Sequence, residues 1–195
     1  MKEVTEIDKK YFRYVSQAIG VNSEVFAYYD ENETHSIDIL SCNDPTDSGV
    51  KFYSTIGLSG YPNPINRTDG SASDIPVELL MAGYKEYEQV PNILSTAAFF
   101  IIKNKWNCQP GTVFETIVSD YYRSDMKHIM FTPPFLWEDK LSCVKIDNRN
   151  IYPLLLIPIS DKELDYKNKY GTDALETLFE NEAIDIFDIK RKSVV

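Results

Sequence analysis

The sequence predicts an α+β fold: a single domain with a mixed, mainly antiparallel central sheet that is flanked by helices. Two observations lead to this prediction. Segments with the apolar spacing of helices are interspersed with short, strand-like apolar runs, and neither an internal repeat nor a long linker divides the chain. With 195 residues the chain has the length of one ordinary domain, so we expect that domain to span residues 1–195.

The first half of the chain is expected to form one helix and then strands. Apolar residues recur at helical intervals in the first segment, at Val4, Ile7, Tyr11, Val15 and Ala18. Gly20 stands where this helix would end. Strand-like runs follow at 24–29, 36–41, 51–58 and 75–82. The acidic turn 30–33 predicts a hairpin between the first two runs, and a polar loop rich in glycine and proline covers 59–73.

The second half is expected to begin with a buried helix, because Pro91 suits a first helical turn and residues 93–102 are apolar nearly all round. Short strands are expected at 111–118 and 127–131. Residues 152–159 form a continuous apolar run that is typical of a central strand, with Pro153 and Pro158 marking its ends or a bulge.

The C-terminal segment has clear helix signals. Ser160 and Glu163 have the spacing of a capping box, in which each side chain bonds the other residue's amide. Gly171 is expected to end that helix, and Thr172 to cap a second one. The second helix carries its apolar residues on one face, and residues 184–195 form a short terminal segment.

The charge distribution excludes one class of partner and favours another. The chain has 30 acidic and 20 basic residues, a net charge of −10, and residues 28–50 contain six acidic residues and no lysine or arginine. A nucleic-acid binder needs a positive surface, so direct nucleic-acid binding is not expected. The surface suits a basic partner protein, although an acidic surface that serves solubility alone is the alternative.

Composition also argues against a membrane protein or a disulfide scaffold. No run reaches the roughly 18 apolar residues of a membrane span, and the charged start does not resemble a signal peptide. The three cysteines, Cys42, Cys108 and Cys143, are sparse and odd in number, which indicates reduced thiols. We therefore expect a cytoplasmic protein.

Catalytic and metal-binding motifs are missing. Residues 57–60 read Gly-Leu-Ser-Gly and lack one residue of the nucleophile-elbow pattern. His35 and His128 are the only histidines, and neither has the spacing of a metal site. Cys143 is read as a structural cysteine, not as a nucleophile paired with His128. We predict no catalytic residue, no metal and no cofactor.

Five short motifs in order carry a resemblance. They are Ser54-Thr55-Ile56-Gly57-Leu58-Ser59, Val77-Glu78-Leu79-Leu80-Met81, Leu154 to Ser160 followed by Glu163, Gly171-Thr172-Asp173-Ala174-Leu175, and the terminal set Asp185, Asp188, Arg191, Lys192 and Ser193. In this order the chain resembles the suppressor-of-fused family over about residues 10–195. The resemblance implies an α+β fold and a binding role without catalysis. It leaves open whether Glu78 and Arg191 are buried and paired or lie at an interface.

The resemblance further implies a small bacterial immunity protein, an antitoxin that neutralises a cognate toxin domain, with a nuclease as one candidate. An acidic face would then cover the toxin's basic active site. The candidate contact residues are Tyr28, Tyr29, Asp30, Glu31, Glu33, Asp44 and Asp47, and secondarily Glu176, Glu180 and Glu182. A solvated turn and an exposed helix face are the plainer interpretations of these two groups.

Two other functions stay open at this stage. The first is an intracellular regulatory or scaffold domain that binds a partner peptide by strand addition, which requires an exposed sheet edge. The second is a hydrolase with dispersed catalytic residues, which requires a deep pocket with a perturbed histidine or carboxylate.

Overall fold

A central sheet organises the computed structural model, which describes residues 3–19, 23–66, 69–137 and 140–195. Its strands are β1 Glu24–Tyr29, β2 Ser36–Asn43, β3 Val50–Ile56, β4 Pro64–Asn66, β5 Ala72–Asp74, β6 Val77–Tyr84, β7 Val113–Phe114, β8 Met126–Thr132, β9 Val144–Ile146 and β10 Arg149–Ser160. The helices are α1 Glu6–Ile19, α2 Val90–Ile102, α3 Asp161–Tyr170 and α4 Thr172–Asn181. Gly20, the expected end of the first helix, lies outside the described residues.

The main sheet has the strand order β1-β2-β3-β6-β10-β8-β7, and β9 pairs with β10 outside this path. Only the β6–β10 pairing is parallel, and the other described pairings are antiparallel. The short strands β4 and β5 form a separate hairpin within the polar loop. The prediction of an α+β fold with a mixed, mainly antiparallel sheet is therefore confirmed.

Helices cover both faces of the sheet. Along β10, Leu154 and Leu156 belong to the apolar cluster beneath α2, whereas Leu155 and Ile157 belong to the cluster beneath α1 and α4. A strand that is covered on both faces needs apolar residues at every position. This requirement explains the continuous apolar run of β10.

The two prolines of β10 lie inside the strand and not at its ends. Pro153 is paired with β6 but precedes the β8 pairing, and Pro158 is paired with β8 beyond the β6 pairing. The Tyr152 amide donates toward β6, to the Pro76 carbonyl. Because amides alternate along a strand, the nitrogen of Pro153 faces away from β6, and that of Pro158 faces the side on which the β6 pairing has ended. The missing N–H groups therefore cost no ladder bond. The irregularity in the β10–β8 register falls later, between Ile159 and Ser160.

Several local expectations are corrected or confirmed. The expected strand at 111–118 shrinks to β7, because Thr116 adopts a left-handed φ of 63° and a 3₁₀ turn follows at Ile117–Asp120. The capping box is present: the Glu163 amide donates to Ser160 Oγ (3.1 Å), and the Ser160 amide donates to Glu163 Oε2 (3.0 Å). Thr172 is the first residue of α4, and the N-cap position belongs to Gly171 without a side-chain cap.

Candidate partner-binding site

Glu78 is fully buried in β6, beneath the turn that follows β3. Thr55 Oγ1 donates to its Oε2 (2.6 Å), and the amides of Gly57, Leu58 and Ser59 donate to the carboxylate at 2.9, 3.2 and 3.0 Å. Gly57 has a φ of 92°, which lets the chain turn its amides toward the carboxylate. Burial raises the pKa of Glu78 to about 7, against the effect of its hydrogen bonds. Two of the five motifs thus meet in one internal turn.

A second buried network joins two other motifs. Arg191 Nη1 and Nη2 donate to Glu163 Oε1 and Oε2 at 2.6 and 2.9 Å, a bidentate ion pair in which both residues are buried. Arg191 Nη2 also donates to the Pro158 carbonyl (2.9 Å), and the Val194 amide donates to Glu163 Oε1 (3.1 Å). The pair therefore ties the C-terminal tail to β10 and α3. Arg191 and Glu78 are buried and hydrogen-bonded and do not lie at a surface.

His128 has no ring nitrogen left for catalysis. The Thr116 amide donates to Nδ1 (3.0 Å), and Nε2 pairs with Asp161 Oδ1 (2.9 Å). Because Nδ1 accepts a hydrogen bond, the ring proton belongs on Nε2. The Lys127 ammonium, which pairs with Asp161, and His128 itself hold the pKa of the Asp161 carboxyl below its usual value. This arrangement links β8 to the start of α3.

Two of the three cysteines are buried, and the expectation that Cys143 is a buried structural residue is wrong, because Cys143 is exposed. Cys42 and Cys108 are buried, and burial raises the pKa of their thiols to about 11 and about 12. Cys143 is exposed, and the structure pairs it with no histidine among the described residues. In the described parts of the chain no group of three or more His, Cys, Asp or Glu side chains is placed to hold a metal ion.

The side chain of Asp30 holds the turn of the β1–β2 hairpin together. Its carboxylate accepts hydrogen bonds from the amides of Thr34 (2.7 Å) and His35 (3.0 Å), and Lys103 Nζ approaches it to 3.3 Å. The His35 amide makes the largest contribution to holding the pKa of Asp30 well below its usual range. With only 7% of its surface exposed, Asp30 organises the turn, whereas Glu31 and Glu33 point outward and are exposed.

This role of Asp30 gives a direct prediction. Replacing Asp30 by alanine should lower the urea midpoint of unfolding, because the Thr34 and His35 amides and Lys103 lose their acceptor. Replacing Glu31 by alanine is the matched control and should leave the midpoint unchanged. Equal midpoints for the two variants in urea titrations followed by circular dichroism would contradict the role of Asp30.

The candidate contact residues do not form one surface. One group lies where β1 ends and β2 begins, and it contains Tyr28, Tyr29 and the hairpin carboxylates. The other group, Asp44 and Asp47, lies in the turn at the opposite end of β2. Eight strand residues separate the two turns, a distance of roughly 25 Å at about 3.3 Å per residue. In the second turn Asp44 Oδ1 accepts the amides of Thr46 (2.7 Å) and Asp47 (3.0 Å).

The second turn and α4 meet at an exposed apolar surface. Phe135 and Leu136 are 49% and 38% exposed in a 3₁₀ turn after two prolines. A groove of about 410 Å³ runs from them to Asp44. Another of about 380 Å³ joins Phe135 to Glu176 and Glu180 over the apolar side of α4. We call these five residues the Phe135 surface.

The Phe135 surface combines residues that the sequence analysis kept apart. Glu176 is half-buried and accepts a hydrogen bond from Thr132 Oγ1 (3.0 Å), while Glu180 is exposed, as is Glu182 two residues later. A third groove of about 460 Å³, with mainly apolar walls, also borders Phe135 and extends toward Tyr152. The sequence analysis did not identify Phe135 or Leu136 as contact residues. The feature that could have indicated them is a pair of large apolar residues immediately after two prolines.

Comparison with known proteins decides the family. The family model described as suppressor of fused protein (SUFU) matches residues 33–192. This chain belongs to the suppressor of fused family. The resemblance carried by the five motifs is confirmed, and the structure shows that four of them contribute residues to the Glu78 turn and the Glu163–Arg191 pair.

Relatives of the suppressor of fused family extend this result. The immunity protein YqcF of Bacillus subtilis (strain 168) is 42% identical over 193 residues, which cover 98% of this chain and 99% of that protein. A SUFU homologue from Neisseria gonorrhoeae FA 1090 has a TM-score of 0.73 at 16% identity, over 97% of both chains. Drosophila Suppressor of Fused has a TM-score of 0.68 at 13% identity, over 96% of this chain and 51% of that one.

A chain of the Sufu–Fu complex also shares the fold, with a TM-score of 0.67 at 11% identity. At these identities the structural matches establish the fold. The names of the relatives, an immunity protein and suppressors of fused, suggest a non-catalytic role. In the described parts of the chain, no helix combines the length and the hydropathy that crossing a membrane requires.

Proposed function

We propose that this chain is a non-catalytic immunity protein that binds a cognate toxin domain in the cytoplasm and neutralises it by covering its active site. The proposal is supported by the 42% identity to the immunity protein YqcF, which extends over almost the whole length of both proteins. The absence of a free histidine nitrogen at His128 and the structural placement of Glu78 agree with a binding role.

The Phe135 surface is the observation that carries this function. Protein interfaces commonly have an apolar, often aromatic centre that makes the largest energetic contribution and a polar rim that excludes water. Phe135 and Leu136 would provide the centre, and Asp44, Glu176 and Glu180 would provide a mainly acidic rim, in which Lys140 of the Asp44 groove is a basic residue. Such a surface fits a toxin whose active site is basic, and a nuclease is the first class to test because its substrate groove must attract phosphates.

The net charge of −10 supports fast capture of such a toxin. Complementary charge raises the association rate at low ionic strength, and salt screens this effect. Glu31 and Glu33 at the β1–β2 hairpin form the second proposed contact for the same partner. Both are exposed.

The test is co-expression with the toxin domain encoded beside this chain's gene, scored by growth and by co-purification. We expect wild type to rescue growth and form a stable complex. Phe135→Ala should weaken binding about 30-fold or more, because a central aromatic contributes at least about 2 kcal/mol. Tyr170→Ala, at an exposed tyrosine of α3, is the matched control and should bind like wild type.

Charge reversal separates the two proposed contacts. Glu180→Lys should slow association several-fold at low salt, and this difference should shrink as salt is added. Glu31→Lys combined with Glu33→Lys tests the hairpin, and Glu86→Lys tests an exposed carboxylate outside both regions. A toxin that is lethal alone and is neither bound nor neutralised by wild type would refute the immunity function.

A regulatory domain that binds a peptide by strand addition is the second candidate function. The exposed edge of β1, described in the next subsection, is the observation that favours it. This function predicts binding with little dependence on salt, in contrast to capture of a basic toxin.

A further inference from the structure

Strand β1 is an edge strand without the usual protection. It pairs with β2 on one side, and within the described residues no strand pairs with its other side. Natural edge strands are shielded by lysine, proline, bulges or covering elements. The β1 sequence, Glu-Val-Phe-Ala-Tyr-Tyr, contains neither lysine nor proline, and its pairing with β2 runs through all six residues without a bulge.

The apolar side chains of β1 are exposed on both faces of the sheet. Val25 and Tyr29 are 43% and 46% exposed on the face of α1, and Phe26 is 52% exposed on the face of α2. The main contacts of α1 are with β3, and those of α2 are with β2, β3 and β6. Both helices are therefore centred away from β1 and leave room above and below its edge.

The direction of the free backbone groups follows from two hydrogen bonds. The Asp30 amide donates to the His35 carbonyl (3.0 Å), and the Asp44 amide donates to the Val50 carbonyl (3.0 Å). In an antiparallel ladder the bonded groups alternate along each strand. The even-numbered residues of β1 therefore bond β2, and the N–H and C=O groups of Val25, Ala27 and Tyr29 point away from the sheet.

We propose that β1 pairs antiparallel with β1 of a second copy of this chain, which gives a two-fold dimer with one continuous sheet. The register that the geometry points to is centred on Ala27. Each Ala27 lies opposite its counterpart, and each Val25 lies opposite Tyr29 of the second copy. These three pairs use all the outward N–H and C=O groups and form six hydrogen bonds.

The same register is self-complementary in its side chains. On the α2 face, Phe26 lies opposite Tyr28 of the second copy, and on the α1 face, valine lies opposite tyrosine; both are favourable cross-strand pairs. The one unfavourable pair sets Glu24 opposite Asp30, two carboxylates, and its cost is reduced because the Asp30 carboxylate is bonded within its own hairpin to the Thr34 and His35 amides and to Lys103.

The proposed dimer does not involve the toxin. Its experiment can therefore support or refute it whether or not the proposed immunity function is correct. The dimer assigns Tyr28 and Tyr29 to contact between copies, whereas the Phe135 surface stays open for a partner. The interface is small, so association should be weak and should depend on protein concentration. Because each copy carries a net charge of −10, self-association should strengthen with salt, the opposite of the salt effect on toxin capture.

Sedimentation velocity or light scattering over a concentration series up to the millimolar range tests the proposal. We expect the average mass to rise from 22.4 kDa toward twice that value. The rise should occur at lower concentration in about 0.5 M than in about 0.05 M NaCl. Hydrogen exchange at the amides of Val25, Ala27 and Tyr29 should slow as concentration rises.

Ala27→Pro is the most selective variant, since the Ala27 N–H points outward and its loss removes no bond to β2. We expect it to keep the wild-type circular dichroism spectrum and to remain a monomer throughout the series. Tyr29→Lys, which adds the charge that protects natural edges, should weaken association at least tenfold. Tyr170→Lys, at an exposed tyrosine on α3, is its matched control and should associate like wild type.

Three results would overturn the proposal. The first is a wild-type protein that keeps the monomer mass at every concentration. The second is equal association of wild type and both β1 variants, which would place the interface elsewhere. The third is a wild-type protein that stays monomeric, together with an Ala27→Pro variant that binds the toxin or a peptide more weakly than wild type. This result would mean that a strand of that partner pairs with the β1 edge.

Discussion

Replacing Arg191 by alanine is expected to lower the free energy of unfolding by about 3–5 kcal/mol, because it leaves the buried carboxylate of Glu163 without its cation. Both residues are buried, and the guanidinium binds the carboxylate through two hydrogen bonds of 2.6 and 2.9 Å. Arg191 also stacks over the ring of Phe179, 5.2 Å from its centre. The variant therefore loses packing on α4 as well as charge compensation.

Urea unfolding followed by circular dichroism measures this effect. Arg123→Ala is the matched control, because Arg123 is exposed, and its cost should stay within about 0.5 kcal/mol. The double variant Arg191→Met, Glu163→Leu should regain part of the loss, since it removes both charges together. The recovery should be incomplete, because the Ser160 and Val194 amides lose their acceptor. A cost near that of Arg123→Ala would show that the pair does not anchor the tail.

Replacing Glu78 by alanine is expected to cost about 3–5 kcal/mol. The change leaves the amides of Gly57, Leu58 and Ser59 and the Thr55 hydroxyl without their acceptor, and it opens a cavity in a fully buried site. Glu86→Ala, at an exposed carboxylate, is the control and should be close to neutral. A loss below about 1 kcal/mol would mean that the turn does not depend on the buried carboxylate.

Glu78 should also make stability depend on pH. Its pKa rises from 4.5 to about 7 in the folded chain, so the native state holds a proton that the unfolded state has released between these values. The contribution of this group is therefore greatest below pH 4.5 and falls as the pH rises through 7, by up to about 3 kcal/mol. Glu78→Gln lacks this titration. Its free energy of unfolding should consequently fall less between pH 5 and 8 than that of wild type, and equal slopes would refute the assignment.

These two buried carboxylates explain why the family resemblance could be detected in the sequence. The motif around Gly57 supplies the donors, and the motif around Glu78 supplies the acceptor. The motif ending at Glu163 and the terminal motif with Arg191 form the second pair. Each motif is short because it forms a local structure, a turn or a helix cap. Each buried charge, however, needs a partner from a distant motif.

Elements with local signals can be predicted from the sequence alone. The capping box at Ser160, the buried run of β10 and the β1–β2 hairpin follow from propensity, patterning and turn chemistry within a few residues. The fold class follows from the order of these elements. The expected strand at 111–118 is too long, because β7 ends at Phe114 and Thr116, in the left-handed region, donates its amide to His128 on the neighbouring strand β8.

Which charges face solvent, and which residues come together at a surface, depends on the tertiary structure. Of the six acidic residues within 28–50, three lie in the turn before β2, Asp38 lies within β2, and two lie in the turn after it. Asp30 is buried and pairs with Lys103, the residue that follows α2. Asp44 and Glu176, far apart in the chain, come to lie on either side of Phe135. Strand pairing and helix docking create these neighbours through contacts between distant residues, so no local pattern could reveal them. For the same reason, the position of β1 at the sheet edge, and with it the surface that we assign to a second copy, depends on the strand order alone.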